Sequence, residues 1–198
     1  KLLEIKIPDL SDVSFSIEKD ISLRLVAISE IGSVFETVKA NADRLIEYMH
    51  WMTREYSLKM AKEFVEQSYE NARKGQSLSL GIFRNEKLIG AIGFVSFDKS
   101  VRKTEIGYWI DGAEEGKGII TTAAKKLVEF AFNELSMNRI EIRCSTTNAR
   151  SAAVPRRLGF SEEACLRQSE IRNGILQDFF VFGLLRSDWD NIEKTLKR

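Results

Sequence analysis

The stretch from Glu105 to Lys126, EIGYWIDGAEEGKGIITTAAKK, constrains the chain most, because it reads as a strand, a glycine-bearing turn and the start of an amphipathic helix. Small, aromatic and β-branched residues over Glu105–Ile110 favour an extended backbone, and Asp111-Gly112 is a pair suited to ending it in a turn. From Ile120 the apolar residues recur at Ala124, Leu127, Ala131 and Leu135, one stripe of a helix, while Lys125, Lys126, Glu129 and Asn133 fall on the opposite face. Gly116-Lys117-Gly118 stands at the mouth of that helix, where unpaired N–H groups and the positive dipole end attract an anion and missing side chains let it approach. Pyrophosphate suits such a site. A plain helix-entry turn has the same composition, so this element alone leaves both readings open. It is neither of two familiar phosphate motifs: Gly112 stands one residue too close to Gly116-Lys117 for GxxxxGK[ST], Gly118 follows Lys117 where Ser or Thr belongs, and GxGxxG is absent.

The remaining elements follow from periodicity. Residues Lys1–Asp20 read as an extended surface arm, and 21–198 as a single domain without a linker. A strand over Ile21–Val26 precedes a helix from Ser29, with Ile31, Val34, Phe35 and Val38 on one face. The segment NADRLIEYMHWM is unusually aromatic. A second amphipathic helix, Ser57–Lys74, ends at Gly75, and Leu78–Phe83 with Leu88–Phe97 forms a hairpin turning at Arg84–Lys87. In Glu105–Ile110 the alternation puts Glu105, Gly107 and Trp109 on one face and Ile106, Tyr108 and Ile110 on the other. The next strand, Arg139–Ser145, leads to a helix capped by Asn148, in which Pro155 removes the bond to the carbonyl of Ser151 and should kink or shorten the helix. Two long strands, Glu162–Ile171 and Ile175–Leu185, turn at Asn173-Gly174, and a last helix carries Ser187 and Asp190 as a capping pair.

Composition excludes more than it selects. With 30 Lys and Arg against 29 Asp and Glu, interspersed, no basic face calls for nucleic acid. Cys144 and Cys165 are isolated, with neither metal-site spacing nor a disulfide framework, and no metal is expected. No apolar run has the length of a membrane span, and KLLEIKIPDLSD is too polar for a secretory signal, so a cytoplasmic protein without membrane contact is the expectation.

A second element sharpens the reading of the turn. Asn148-Ala-Arg-Ser151, followed by Gly159-Phe160, comes directly after the strand Arg139–Ser145. Together the two elements resemble the GNAT superfamily of acetyl-CoA-dependent N-acetyltransferases, and within it the RimJ/RimL-like group that acetylates ribosomal-protein N-termini, over about Ile21 to Leu185. The family turn Q/R-x-x-G-x-G/A maps onto Glu115, Gly116, Lys117, Gly118, Ile119 and Ile120, with Glu115 in place of Gln or Arg and Ile120 in place of a small residue.

The resemblance implies an α+β GNAT fold: a mixed, mostly antiparallel sheet of about seven strands, flanked by helices and splayed between its fourth and fifth strands, Glu105–Ile110 and Arg139–Ser145. It implies that CoA is held by residues 115–121, through Thr121, with Asn148 and Ser151, and by backbone groups at Trp109, Ile110 and Asp111 along the pantetheine arm. Ser151 would protonate the departing thiolate, or merely bond its own helix start. Glu105 and Glu170 are the candidate bases; Glu105 is equally an edge charge paired with Arg102 or Lys103. His50, the single histidine, and Trp51 would line the acceptor site together with Trp109, although aromatic residues at helical spacing also serve as core. An ordinary carboxylate is a weak base, so burial must raise its pKa or water must relay the proton. An α-amine of pKa ~7.8 is neutral in about a tenth of molecules at pH 7, a lysine of ~10.4 in under about one in a thousand, a difference of about 3.5 kcal/mol that favours peptide N-termini. The expected acceptor is the N-terminal α-amine of a ribosomal or other protein; a small amine (polyamine, amino-sugar or toxic aminoacyl compound) and a CoA-binding module without turnover are the alternatives. Monomer and homodimer stay open.

Overall fold

Residues with β-branched and aromatic side chains at period two build eight strands. These are β1 (Ser14–Glu18), β2 (Ile21–Arg24), β3 (Leu78–Arg84), β4 (Lys87–Asp98), β5 (Lys103–Ile110), β6 (Arg139–Ser145), β7 (Ser161–Arg172) and β8 (Ile175–Leu185). In the structure, a computed structural model that describes residues 5–196, they join in one sheet of order β1-β2-β3-β4-β5-β6-β8-β7. Six α-helices accompany it: α1 (Ile31–Ala40), α2 (Ala42–Tyr48), α3 (Leu58–Arg73), α4 (Ile119–Asn133), α5 (Ala149–Arg157) and α6 (Arg186–Leu196). None is long and apolar enough to cross a membrane.

The two expected hairpins close through paired left-handed residues, Asn85-Glu86 and Asn173-Gly174, whose twist matches that of the strands they join. Gly75, at φ +59°, ends α3 as expected, its N–H bonding the carbonyl of Ala72 at 3.1 Å. The core divides between the faces of the sheet. Ala124, Leu127 and Ala131 of α4 are fully buried against Leu80, Ile92 and Ile106, so the expected stripe holds and its alanines let helix and sheet approach closely. Val34, Val38, Ala61 and Val65 of α1 and α3 pack with Phe83 and Leu88 in a second cluster.

The joint between β5 and β6 positions the site. Antiparallel pairing holds everywhere except here, where the strands run parallel over only three pairs, Lys103↔Arg139, Thr104↔Ile140 and Glu105↔Glu141. Beyond Glu105 each keeps only its outer neighbour, β4 or β8, and the strands part. The expected splay is therefore present, and the backbone groups facing the fork have no ladder to satisfy them.

Three expectations need correction. From residue 5 on, the N-terminal stretch is no surface arm, residues 1–4 lying outside the described residues: Ile7 and Leu10 lie in the core, the Leu10 N–H bonds Ala72 at 3.0 Å, and residues 14–18 add an edge strand, making eight strands rather than about seven. Phe15 anchors that strand, its ring 5.3 Å from Phe130 of α4, an attachment no local pattern announces. Ser187 and Asp190 are not a capping pair, because α6 begins at Arg186: Asp188 accepts from the Leu185 N–H at 3.3 Å, while Asp190 pairs with Arg186 at 2.8 Å. Pro155 does not end α5 at the preceding residue; the helix runs on to Arg157.

Candidate active site

The turn before α4 is built to leave donors open. Asp111 caps the short 3-10 segment Gly112–Glu114 by accepting the Ala113 N–H at 3.0 Å. Gly116 and Gly118 follow at φ +76° and +79°, a conformation costly for side-chain-bearing residues, and a Cβ on either would meet nothing within 4 Å. Gly118 is the N-cap of α4 and brings no side chain to cap it. The first amides of a long helix thus lie beside two glycines whose missing side chains leave open space, which fits a diphosphate. Ile119 is buried in the core and Ile120 packs against it, so the bulkier residue at 120 holds the helix to the sheet instead of crowding the cradle. The Lys117 ammonium bonds Glu114 at 3.0 Å.

Glu115 is matched with cations. Its two oxygens pair with Arg44 of α2 and Arg150 of α5, and Arg44 also donates to the Ile110 carbonyl at 2.6 Å. The Asp111 N–H goes to the Ile89 carbonyl at 2.7 Å. Two of the backbone groups expected along the pantetheine arm are therefore engaged by the protein itself.

Where β5 and β6 part, a cleft of about 680 Å³ opens, and it gathers residues distant in sequence, from His50 and Trp51 through Glu105, Trp109 and Ser151 to Glu170. Glu105 stands at the vertex of the fork. Burial raises its carboxyl above the usual carboxylate range, opposed by the Arg143 guanidinium and reinforced by the charges of Glu141 and Glu170. Lys103 pairs with Glu141 at 3.4 Å and bears on Glu105 only through its charge, which slightly offsets the rise. Glu170 sits differently, held by Arg143 at 3.1 Å and by Arg172, whose buried guanidinium also donates to the Tyr48 carbonyl at 2.9 Å. The carboxylate of Glu170, gripped by two guanidiniums, ties β6, β7 and α2 together, whereas a carboxyl raised by burial, as at the vertex, has the chemistry to accept a proton.

On the opposite face Pro155 leaves the Ser151 carbonyl without its helical donor, and the Tyr108 hydroxyl supplies one at 3.0 Å. The Ser151 Oγ lies 3.3 Å from the same phenol oxygen, and its N–H bonds the Asn148 side chain at 3.0 Å. Asn148 thus caps α5 as expected while lining the cleft. Desolvation pushes the Tyr108 phenol up, so it remains a proton donor, and pushes the Cys144 thiol beside it up to about 11. Trp109 packs with the α1–α3 cluster while Ile106, Tyr108 and Ile110 pack on the α4 side, the alternation read from the sequence. Trp51 packs there too, its ring 6.2 Å from Tyr56, and His50 at the rim is exposed. Sequence reasoning missed Arg44, Tyr108, Arg143, Arg150 and Arg172. Only Tyr108 left a trace, in the carbonyl that Pro155 was expected to free.

The acetyltransferase (GNAT) domain family matches residues 20–161. The chain is 32% identical over 175 residues to the Bacillus subtilis (strain 168) protein named "Putative ribosomal N-acetyltransferase YdaF", covering 88% of this chain and 96% of that one. To the ribosomal-protein-serine acetyltransferase of Escherichia coli (strain K12) it is 27% identical, covering 85% and 94%. The crystal structure of the microcin C7 self-immunity acetyltransferase MccE, in complex with acetyl-CoA and AMP, superposes with a TM-score of 0.82 at 27% identity, covering 89% of this chain and 98% of MccE.

Proposed function

Because the chain belongs to the GNAT acetyltransferase family and is thus an acetyl-CoA-dependent N-acetyltransferase, we propose that its acceptor is the N-terminal α-amine of a protein, a ribosomal protein first among them. The observation that carries this reading is Glu105, a carboxyl raised by burial at the point where the strands part, on the face shared with Trp109 and the aromatic wall. The non-catalytic alternative falls with the family assignment.

Acetyl-CoA supplies an activated acyl group and a thiolate leaving group. Residues 115–121 would hold its diphosphate on open main-chain amides, with Asn148 and Ser151 at the far side of the fork. Glu105 takes the proton from the incoming amine, directly or through one water, at a pKa nearer the working pH than an ordinary glutamate offers. Ser151 would turn its hydroxyl from the Tyr108 oxygen to pass a proton toward the leaving sulfur, regaining one from water in the cleft, while Asn148 fixes its backbone. Glu170 positions Arg143 and Arg172 and so keeps the acceptor wall in place. His50 and Trp51 flank the incoming residue.

The test is acetylation of two peptides of ribosomal-protein N-terminal sequence, one with a free N-terminus and a lysine, the other with its N-terminus blocked, read by tandem mass spectrometry. The proposal predicts acetylation of the first at its α-amine alone. The resemblance to MccE supports a second reading, a small aminoacyl compound as acceptor. Turnover of such compounds with neither peptide touched would establish that one instead.

A further inference from the structure

The pair of guanidiniums on Glu115 is unequal. Arg44 is built in: besides Glu115 it bonds the Ile110 carbonyl at 2.6 Å and the Asn41 side chain at 3.3 Å, and Asn41 in turn holds the Gly112 N–H at 3.0 Å. Arg150, at the second position of α5, has Glu115 as its one ion-pair partner among the described residues, and its side chain is 81% exposed. An exposed ion pair of this kind is weak and exchanges readily. Glu115 directly precedes Gly116, the first glycine of the open cradle, so the carboxylate that occupies Arg150 lies where a diphosphate arrives.

We propose that Glu115 is an internal stand-in for the diphosphate: it keeps Arg150 aimed across the cradle, and CoA takes Arg150 over while Arg44 retains the carboxylate. A guanidinium fork matches a diphosphate bidentately, with more charge than one carboxylate offers, so the exchange favours the ligand. The displaced carboxylate keeps a partner, since Arg44 is fixed by the two oxygens of Ile110 and Asn41. The family Gln or Arg at this position needs no such arrangement; here an acid in a diphosphate site is made harmless by the residue that binds the ligand. The inference rests on the assignment of CoA as cofactor.

The experiment measures binding of CoA by calorimetry and of pantetheine, the same arm without the diphosphate, by ligand-observed NMR, on the full chain and two variants. Arg150→Ala should weaken CoA about tenfold and leave pantetheine unchanged, with a shallower dependence of CoA affinity on salt. Glu115→Gln should tighten CoA, and the gain should vanish when Arg150→Ala is added. Equal weakening of both ligands by Arg150→Ala, or unchanged CoA binding, overturns the proposal, as does weaker CoA binding in Glu115→Gln. Failure of the unaltered protein to bind CoA at all would strike the cofactor assignment and not the exchange. Melting curves of each variant confirm that it is folded.

Discussion

Tyr108→Phe removes one oxygen, and the structure says what that oxygen does. It donates to the Ser151 carbonyl at 3.0 Å, which has lost its helical donor to Pro155, and it lies 3.3 Å from the Ser151 Oγ. Leaving a half-buried carbonyl unpaired costs about 1–3 kcal/mol, and for a domain of this size each kcal/mol lowers the melting temperature by about 2–4 °C. Tyr108→Phe should therefore melt about 2–12 °C below the parent protein. The same reasoning names the compensating change. Pro155→Ala restores an N–H at the position from which α5 should bond Ser151, so Tyr108→Phe should cost less in that background, with a coupling of about 0.5–1.5 kcal/mol in a double-mutant cycle from urea denaturation. If Tyr108→Phe costs the same in both backgrounds, within about 0.3 kcal/mol, the carbonyl is not what the phenol serves and the argument fails.

Two further outcomes follow from the site. Gly118→Ala places a Cβ in the left-handed conformation at φ +79° with no neighbour to clash, so it should fold, destabilised by about 1–2 kcal/mol, and should bind CoA about tenfold or more weakly through loss of a charge-assisted N–H contact; unchanged calorimetric affinity would contradict the cradle. Glu105→Gln should stabilise the fold at neutral pH while lowering activity. Because the folded pKa of Glu105 is raised, the native state binds more protons than the unfolded state between the two pKa values, so ionising this group erodes stability as pH rises through that window. Urea midpoints should thus converge for variant and parent at acid pH and separate above the window; the opposite order of midpoints counts against a desolvated carboxyl.

Local chemistry made much of the fold legible. The α4 stripe, both left-handed hairpin turns, Gly75 and the alternation along β5 are all properties of short segments, and each stands where periodicity put it. The Asn148 cap and the glycine turn were readable for the same reason. What escaped depends on contacts between distant residues. Ser14–Glu18 is a strand because Phe15 meets Phe130 and because β2 offers it an edge. Nothing near Glu115 in the sequence announces its partners, since Arg44 and Arg150 lie 71 and 35 residues away. Glu105 and Glu170 carry the same side chain, and only the fold shows one at the vertex of the fork and the other between two guanidiniums.

The central claim is that Glu105 accepts the proton as the amine attacks at the fork. The most direct measurement is the single-turnover rate against pH, with saturating acetyl-CoA and a peptide bearing a free N-terminus, for the parent protein and Glu105→Gln. Their ratio cancels the ionisation of the peptide's own amine. A ratio that climbs with pH through a carboxyl pKa above the ordinary range and levels off at about 10² or more is the predicted result; a ratio that stays near one across the whole range contradicts it.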